Sequence, residues 1–222
     1  MTAQALQPLL LVGAGGFARE TAQAVLAAGR YRLIGFTDDN PARHGTEVDG
    51  LPVIGGTDVV GGMPDVAVIL CPGSGAIRAK LAARLAAGGI GPDRFATVVH
   101  PSVHLPPSCT LGHGSVLLAG VTLTTSVTVG NHVSVMPNTV LTHDDVVADF
   151  ATICGSVSLA GRVHVGAGAY LGQGALVREN LTVGAWSTLG MGAVVLTDVP
   201  EAEVWVGNPA RFLRQAANPP SL

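Results

Sequence analysis

Short aliphatic runs alternate with amphipathic, alanine-rich segments through the first hundred residues of the chain. Runs bounded by turn residues predict buried strands, and the segments between them have helical spacing. Strands alternating with helices are typical of a parallel α/β unit. The predicted elements are strands at Pro8 to Val12, Tyr31 to Thr37, Val66 to Cys71 and Phe95 to Val99, a hairpin around Asp49-Gly50, a helix that stops at Gly29, and a helix from Gly75 to Ala87.

A second pattern begins at Val103 and continues without a break to Asp198. This segment divides into sixteen hexads; the third residue of each is Leu, Val or Ile, and the first is mostly small or β-branched. Such a period is typical of a parallel β-helix, in which each hexad forms one face of a prism and three hexads form one turn. The aliphatic residues predicted to stack inside are Leu105, Leu111, Leu117, Leu123, Val129, Val135, Leu141, Val147, Ile153, Leu159, Val165, Leu171, Val177, Val183, Leu189 and Val195.

Composition and charge exclude several classes of function. The 222 residues carry a formal net charge of -3, with no basic block, so nucleic acid is not an expected partner. No apolar run is long enough to span a bilayer and no signal peptide is evident, so we expect no membrane partner. The three cysteines lie far apart without metal-ligand spacing, which argues against a metal site and favours the cytoplasm. Hydrophobic residues are 48% and charged residues only 12%, which favours apolar surface hidden in an oligomer.

A glycine-rich turn follows the first predicted strand. Gly13 and Gly15 match the first two positions of the dinucleotide fingerprint G-x-G-x-x-G/A, and Ala18 fits the third. The next strand ends in Asp38 and Asp39, about where a Rossmann unit places its ribose-binding acid. The glycines alone also suit any tight turn between a strand and a helix. Because the unit is too short for a complete dinucleotide domain, a mononucleotide or a sugar nucleotide fits it better than NAD.

The stretch Thr139 to Phe150 places charge where the prism makes it costly. His143, Asp144 and Asp145 are adjacent, and a solvated turn is the simplest interpretation of such a cluster. Asp145, however, occupies a first position of a hexad and is predicted to point into the prism, where a carboxylate needs a partner. Either the coil loosens locally or a nearby group satisfies the carboxylate, and His143 is the obvious candidate.

An ordered set of motifs gives the chain a family resemblance. The motifs are LLLVGAGGFARE, IGFTDDN, LPVIGG, the IRAKLA helix, VHPSV, the hexads and the ending VGNPARFLR. Together they resemble the sugar O- and N-acyltransferases typified by NeuD and PglD. The resemblance implies a Rossmann-like domain for a nucleotide sugar over residues 1–100, a left-handed β-helix for acetyl-CoA over residues 101–213, and a C-terminal tail over residues 214–222. It also implies a homotrimer with active sites between neighbouring prisms.

The resemblance assigns roles to individual residues. His143 falls on the catalytic histidine, Asp144 on the acidic residue that orients it, and Gly161 on the residue whose N–H faces the thioester carbonyl; the shorter Asp144 leaves Asp145 as an alternative partner. The implied substrate-binding residues are Gly13, Gly15, Gly16, Phe17, Asp38, Asp39 and Gly73. The implied cofactor-binding residues are Gly161, Gln173, Met191, Gly192, Asn208, Pro209 and Arg211.

Two positions depart from some family members. Thr152 stands where some have a second histidine, which leaves polarisation of the acetyl group to the backbone or to Thr152. Phe17 stands where some have a histidine in the glycine turn, which leaves the identity of the sugar open.

The implied activity is transfer of acetyl from acetyl-CoA to the 4-amino group of a UDP- or GDP-linked 4-amino-deoxy sugar. His143 would act as general base for direct attack on the thioester, without a metal or a covalent enzyme intermediate. One alternative is O-acetylation of sialic acid or a related sugar. Another is a binding or regulatory protein on an inactive scaffold, or an NAD-dependent protein that uses the glycine turn.

Overall fold

The computed structural model describes residues 6–216 of the chain, and its N-terminal part is a parallel α/β unit. Its three-stranded sheet has the order β2-β1-β5, with the hairpin β3-β4 beside it. Short 3-10 helices cover Pro41–Arg43, Thr57–Gly62 and Pro92–Arg94. The elements are β1 (Gln7–Val12), α1 (Gly16–Ala28), β2 (Tyr31–Thr37), β3 (Glu47–Val48), β4 (Leu51–Pro52), β5 (Ala67–Leu70), α2 (Gly75–Ala87) and β6 (Val98–Val99).

The predicted boundaries of the first helix have a clear backbone cause. Gly29 adopts the left-handed conformation at φ 62°, and its N–H donates to the Val25 carbonyl at 3.1 Å, which ends α1. At the other end, Gly13 has a φ of 105°, a value that favours glycine, as the chain leaves β1. The glycines therefore turn the chain sharply from the carboxyl end of β1 into the N-terminus of α1.

The hexads form a parallel β-helix, as the period predicts. Each two-residue strand occupies the second and third positions of its hexad and pairs in parallel with strands 18 residues away, as Thr128 pairs with Val146. The strands are β7 (Thr110–Leu111), β8 (Val116–Leu117), β9 (Thr122–Leu123), β10 (Thr128–Val129), β11 (Ser134–Val135), β12 (Val140–Leu141), β13 (Val146–Val147), β14 (Thr152–Ile153), β15 (Ser158–Leu159), β16 (His164–Val165), β17 (Tyr170–Leu171), β18 (Leu176–Val177), β19 (Thr182–Val183), β20 (Thr188–Leu189) and β21 (Val194–Val195).

The strands make the three faces of a prism. Face 1 contains β7, β10, β13, β16 and β19; face 2 contains β8, β11, β14, β17 and β20; face 3 contains β9, β12, β15, β18 and β21. Turns join the faces along three edges. We call the edge between faces 3 and 1 the His143 edge, and the edge between faces 2 and 3 the Met191 edge.

The aliphatic third positions fill the interior of the prism. From Leu117 to Val195 every one of them is at most 3% exposed, so stacking of successive coils removes them from water. Leu105 is 37% exposed because it belongs to the first hexad, at the end of the stack. The prediction of an aliphatic interior is therefore confirmed, apart from this open end.

One predicted strand belongs to a different sheet. Phe95 to Val99 was expected to be the fourth strand of the α/β unit, but Phe95 makes only an isolated bridge to Val68. The strand itself, β6, is limited to Val98–Val99 and pairs in parallel with β8 of face 2. The expectation of a four-stranded sheet is therefore wrong, because the aliphatic end of this segment extends the solenoid instead.

A hairpin completes the C-terminal end of the solenoid. β22 (Glu203–Val206) pairs in parallel with β20, and β23 (Arg211–Gln215) pairs antiparallel with β22. Two residues of the predicted C-terminal tail, Arg214 and Gln215, are thus part of a strand, while residues 217–222 lie outside the described part of the chain. Within residues 6–216, neither α1 nor α2 is long and apolar enough to cross a membrane.

Candidate active site

His143 and Asp144 form a side-chain pair on an exposed turn of the His143 edge. The Nδ1 atom of His143 lies 2.9 Å from Oδ2 of Asp144, and the two side chains are 47% and 54% exposed. Asp144 has a φ of 64°, so the backbone turns sharply at this residue. An Nδ1 bonded to a carboxylate carries the proton, which leaves Nε2 of the neutral ring as the acceptor. This tautomer therefore leaves Nε2 as a proton acceptor on a half-exposed ring.

Gly161 lies one coil further along the same edge, against the imidazole of His143. A Cβ atom built on Gly161 would overlap Cε1 and Nε2 of the ring, so this position has no room for a side chain. The turns are also joined directly, because the Arg162 N–H donates to the His143 carbonyl at 2.9 Å. Within residues 6–216 the Gly161 N–H makes no hydrogen bond. It is thus free to serve a ligand beside the imidazole.

Asp145 is fully buried inside the prism, but His143 is not its hydrogen-bond partner. Its Oδ1 accepts from the Val163 N–H at 2.9 Å, and its Oδ2 accepts from the Thr142 N–H at 2.7 Å. Burial raises the pKa of Asp145 to about 6, although these two N–H groups and the charge of His143 act in the opposite direction. The expected pairing with His143 is therefore replaced by two backbone amides, and the partner of His143 is Asp144.

The hydroxyl of Thr152 is already engaged, so it is not available to polarise an acetyl group. Its Oγ1 donates to the Gly73 carbonyl at 2.9 Å and lies 3.1 Å from a guanidinium nitrogen of Arg78, and the residue is 1% exposed. Polarisation by Thr152, one of the two alternatives considered from the sequence, is therefore excluded. Polarisation by the backbone N–H, the other alternative, stays a prediction.

Arg78 on α2 is fully buried and joins the α/β unit to the solenoid. Its guanidinium donates to five backbone carbonyls: Pro72 and Gly73 in the α/β unit, and His132, Phe150 and Ala151 in the solenoid, at 2.7–3.1 Å. Burial lowers the pKa of Arg78 to about 10, so it stays charged at neutral pH. Sequence reasoning missed this residue, because an arginine in an amphipathic helix is usually solvated.

A cavity of about 410 Å³ opens where β1, β2 and β5 end at the N-terminus of α1. A helix N-terminus directs unpaired N–H groups outward and favours an anion such as a phosphate. A Cβ on Gly15 or Gly16 would meet no atom within 4 Å, so the space beside these residues is open. The cavity brings together all the residues implied to bind the substrate, Gly13, Gly15, Gly16, Phe17, Asp38, Asp39 and Gly73.

The two aspartates of the cavity are held by different partners. Asp38 accepts from the Ala14 N–H at 3.3 Å and forms an ion pair with Arg43, also at 3.3 Å. Asp39 accepts from the Thr57 N–H and forms an ion pair with Arg84, each at 2.8 Å. Burial alone would raise the pKa of Asp39, but these two partners outweigh it and hold the pKa below its usual range. Asp39 is therefore ionised at neutral pH.

The residues implied to bind acetyl-CoA do not all lie together in one chain. Gly161 is on the His143 edge, whereas Gln173, Met191 and Gly192 are on the Met191 edge. There the Gly192 N–H donates to the Gln173 carbonyl at 2.9 Å, and the Met191 side chain is 81% exposed. Face 3 separates these two edges. The remaining three, in or next to the turn between β22 and β23, are Asn208, Pro209 and Arg211. Among the described residues, no cluster of His, Cys, Asp or Glu could hold a metal ion.

Comparisons of sequence identify relatives of this chain. Residues 8–85 match the family model described as the PglD N-terminal domain. A UDP-N-acetylbacillosamine N-acetyltransferase of Bacillus subtilis is 30% identical over 116 residues, which are 51% of this chain and 52% of that protein. The match thus spans about half the length of the curated relative.

Comparisons with solved structures extend the likeness to nearly the whole chain. The acetyltransferase domain of PglB from Neisseria gonorrhoeae, in complex with acetyl coenzyme A, is 30% identical with a TM-score of 0.87, over 94% of this chain and 100% of that one. A mutant of GDP-perosamine N-acetyltransferase from Caulobacter crescentus, in complex with CoA and GDP-perosamine, is 27% identical with a TM-score of 0.86, over 96% and 99%. On this evidence the chain belongs to the NeuD/PglD-like family of sugar acyltransferases.

Proposed function

We propose that the protein transfers acetyl from acetyl-CoA to the 4-amino group of a nucleotide-linked 4-amino-deoxy sugar. The observation that carries this proposal is the exposed imidazole of His143, bonded through Nδ1 to Asp144 at 2.9 Å and facing Gly161 with its Nε2 edge. Named relatives act on UDP- and GDP-linked amino sugars, and solved structures of relatives contain acetyl-CoA or CoA. These relatives support both the donor and the class of acceptor.

His143 acts as the general base in the proposed reaction. The sugar nitrogen attacks the thioester carbonyl, and Nε2 of His143 takes a proton from that nitrogen as the new C–N bond forms. Asp144 holds the ring in the tautomer with its proton on Nδ1 and stabilises the imidazolium. When the tetrahedral intermediate collapses, the C–S bond breaks, and the proton on His143 goes to the CoA thiolate. No covalent enzyme intermediate is needed.

Gly161 supports the oxyanion that develops on the thioester carbonyl. Among residues 6–216 its N–H has no other partner, and it lies on the turn next to the imidazole, so one group accepts the proton while the other stabilises charge. A donor of this kind stabilises a transition state by about 3 kcal/mol. The absence of a side chain at this position lets the imidazole and the backbone approach each other.

The cavity at the start of α1 receives the nucleotide. The diphosphate lies at the helix N-terminus beside Gly15 and Gly16, where outward N–H groups favour negative charge. Asp38 and Asp39 line the same cavity and face the nucleoside. The nucleotide is thus held by the α/β unit, and its amino sugar extends towards the solenoid.

A homotrimer completes the proposed acetyl-CoA site. In one chain, face 3 separates His143 and Gly161 from Gln173, Met191 and Gly192. Packing of the His143 edge of one copy against the Met191 edge of the next brings the two sets to opposite sides of one groove. This assembly also covers the exposed side chain of Met191. The three cysteines are all free, in keeping with a cytoplasmic location.

Steady-state acetyl transfer tests the proposed function. The acceptors are UDP- and GDP-linked 4-amino-4,6-dideoxy sugars and free sialic acid, with wild type, His143→Ala and His104→Ala as enzymes. His104 is an exposed histidine of the first hexad, so its replacement controls for loss of a solenoid imidazole. We expect turnover of one amino sugar that is lost only in His143→Ala. Turnover of sialic acid alone, or equal activity in His143→Ala, would refute the proposal.

A further inference from the structure

Asp145 is a charged residue in a row of positions that is otherwise uncharged. Across the sixteen hexads no other first position carries a charge, and several carry Val. Asp145 is fully buried, so its carboxylate exchanges solvation by water for two backbone N–H groups. The prism itself does not require this residue, because valine fills the same position in the neighbouring coils.

The carboxylate changes the hydrogen-bond ladder immediately before His143. Along face 3, the N–H of the fourth hexad residue normally donates to the carbonyl 17 residues later, as Thr124 does to Leu141 and Ala160 does to Val177. The matching donor, Thr142, instead donates to Oδ2 of Asp145 at 2.7 Å. The regular ladder is therefore interrupted at the residue that precedes His143.

The other carboxylate oxygen fixes the neighbouring turn. Oδ1 of Asp145 accepts from the Val163 N–H at 2.9 Å, one coil further on, two residues after Gly161. One side chain thus holds the backbone before His143 and the backbone after Gly161. The relative position of the proposed base and the proposed oxyanion donor depends on both attachments.

We propose that Asp145 is a positioning residue that sets the distance and angle between His143 and Gly161. This inference rests on the proposed acetyl transfer, in which His143 takes a proton from the attacking nitrogen and the Gly161 N–H stabilises the oxyanion of the same tetrahedral intermediate. Groups that act together on a reacting centre need placement within about 0.5 Å, and misplacement by 1 Å can cost about a hundredfold in rate. Replacement of Asp145 lets Thr142 rejoin the ladder and moves the His143 turn.

Asp145→Val provides the first test. Valine restores the common hexad residue and frees Thr142 to donate to the Leu159 carbonyl, so we expect the melting temperature to stay the same or rise. The kcat should nevertheless fall about ten- to a hundredfold, with the KM values for both substrates changed less than threefold. If Asp145→Val is as stable as wild type and keeps its kcat, the proposal is wrong.

Ser115→Ala is the matched control. Ser115 is a buried first-position residue whose Oγ accepts from the Val133 N–H at 3.0 Å, again 18 residues later, but it lies away from the His143 edge. Its replacement should lower the melting temperature and leave kcat within twofold. If Asp145→Val does not fold, Asp145→Asn tests the proposal instead, since asparagine keeps the shape of the aspartate side chain and one acceptor oxygen. A kcat loss in Asp145→Asn at least fivefold beyond that of Ser115→Ala supports the proposal, and equal kcat values refute it.

A structural measurement separates this inference from the proposed function. If wild type transfers acetyl to none of the acceptors, the acetyltransferase proposal fails, and a crystal structure of Asp145→Val still tests the positioning. The expected structure has Thr142 bonded to the Leu159 carbonyl and His143 displaced from Gly161. An unchanged His143 turn would overturn the inference.

Discussion

Replacement of Arg78 by methionine tests whether a buried cation holds the two parts of the chain together. Methionine has similar length and keeps apolar packing, but it removes every hydrogen bond of the guanidinium. Among the described residues, three of the five carbonyl acceptors, those of Pro72, His132 and Phe150, have no other donor. The Ala151 carbonyl keeps the Ser134 N–H as a donor, and the Gly73 carbonyl keeps the Thr152 hydroxyl. The substitution therefore leaves three acceptors unpaired.

The cost follows from these three acceptors. An acceptor that loses its partner in a buried site costs about 1–3 kcal/mol. The low end applies because removing the guanidinium also removes the cost of burying its charge. The expected loss of unfolding free energy is thus about 3 kcal/mol, which for a chain of this size lowers the Tm by about 6–12 °C.

Thermal unfolding of Arg78→Met measures this loss, with Lys80→Met as the control. Lys80 lies on the same helix, is exposed and forms no ion pair within residues 6–216, so its change should stay within about 0.5 kcal/mol. The KM for the nucleotide sugar should also rise in Arg78→Met, since Pro72 and Gly73 line the cavity. Equal Tm values for the two variants would show that the guanidinium does not stabilise the junction.

Four shorter predictions follow from the His143 edge. Because folding raises the pKa of Asp145, its contribution to the free energy of unfolding is complete below pH 3.8, and about 3 kcal/mol is lost as the pH rises to about 6. Denaturant titrations over this pH range should show the loss for wild type and not for Asp145→Asn. The same dependence on pH in both proteins would contradict the raised pKa. Gly161→Ala should lower kcat about a hundredfold, since its methyl group displaces the imidazole; unchanged kcat would place the oxyanion elsewhere. Asp144→Asn should lower kcat about tenfold or more with little change in KM; an effect on KM alone would make it a binding residue. Co-expression of His143→Ala with Gln173→Trp should restore acetyl transfer that neither variant has alone; no recovery in confirmed mixed oligomers would rule out a site shared between copies.

The periodic parts of the fold could be predicted from the sequence, and the junction between them could not. The hexads can be recognised in the sequence because every coil buries the third residue of each hexad, from Leu117 to Val195. Val98 and Val99 carry the same aliphatic β pattern whether they extend the α/β sheet or the solenoid, so the sequence does not distinguish the two. Arg78 gives no local signal, because its acceptors are backbone carbonyls up to 73 residues away.

The candidate site likewise has parts that could be predicted from the sequence and parts that could not. His143 and Asp144 are neighbours in sequence, so their pairing could be expected, and the glycine turn marks the start of α1. The partners of Asp145 are backbone amides, one of them in the next coil, and no pattern in this sequence marks those two amides as its partners. The charge of Asp145 was visible from the sequence, but its function in the ladder depends on the stacking of coils.

The junction and the proposed base meet in a single coil. The three hexads from Thr139 to Ser156 carry His143 at one edge, and Phe150 and Ala151, which hold Arg78, at the next. Only the short strand β13 lies between them. Arg78 also holds Gly73, in the wall of the cavity at the start of α1. Arg78 therefore fastens the cavity to the coil that carries His143. In the proposed reaction, the reach of the amino sugar to His143 is thus set within one coil rather than across the whole solenoid.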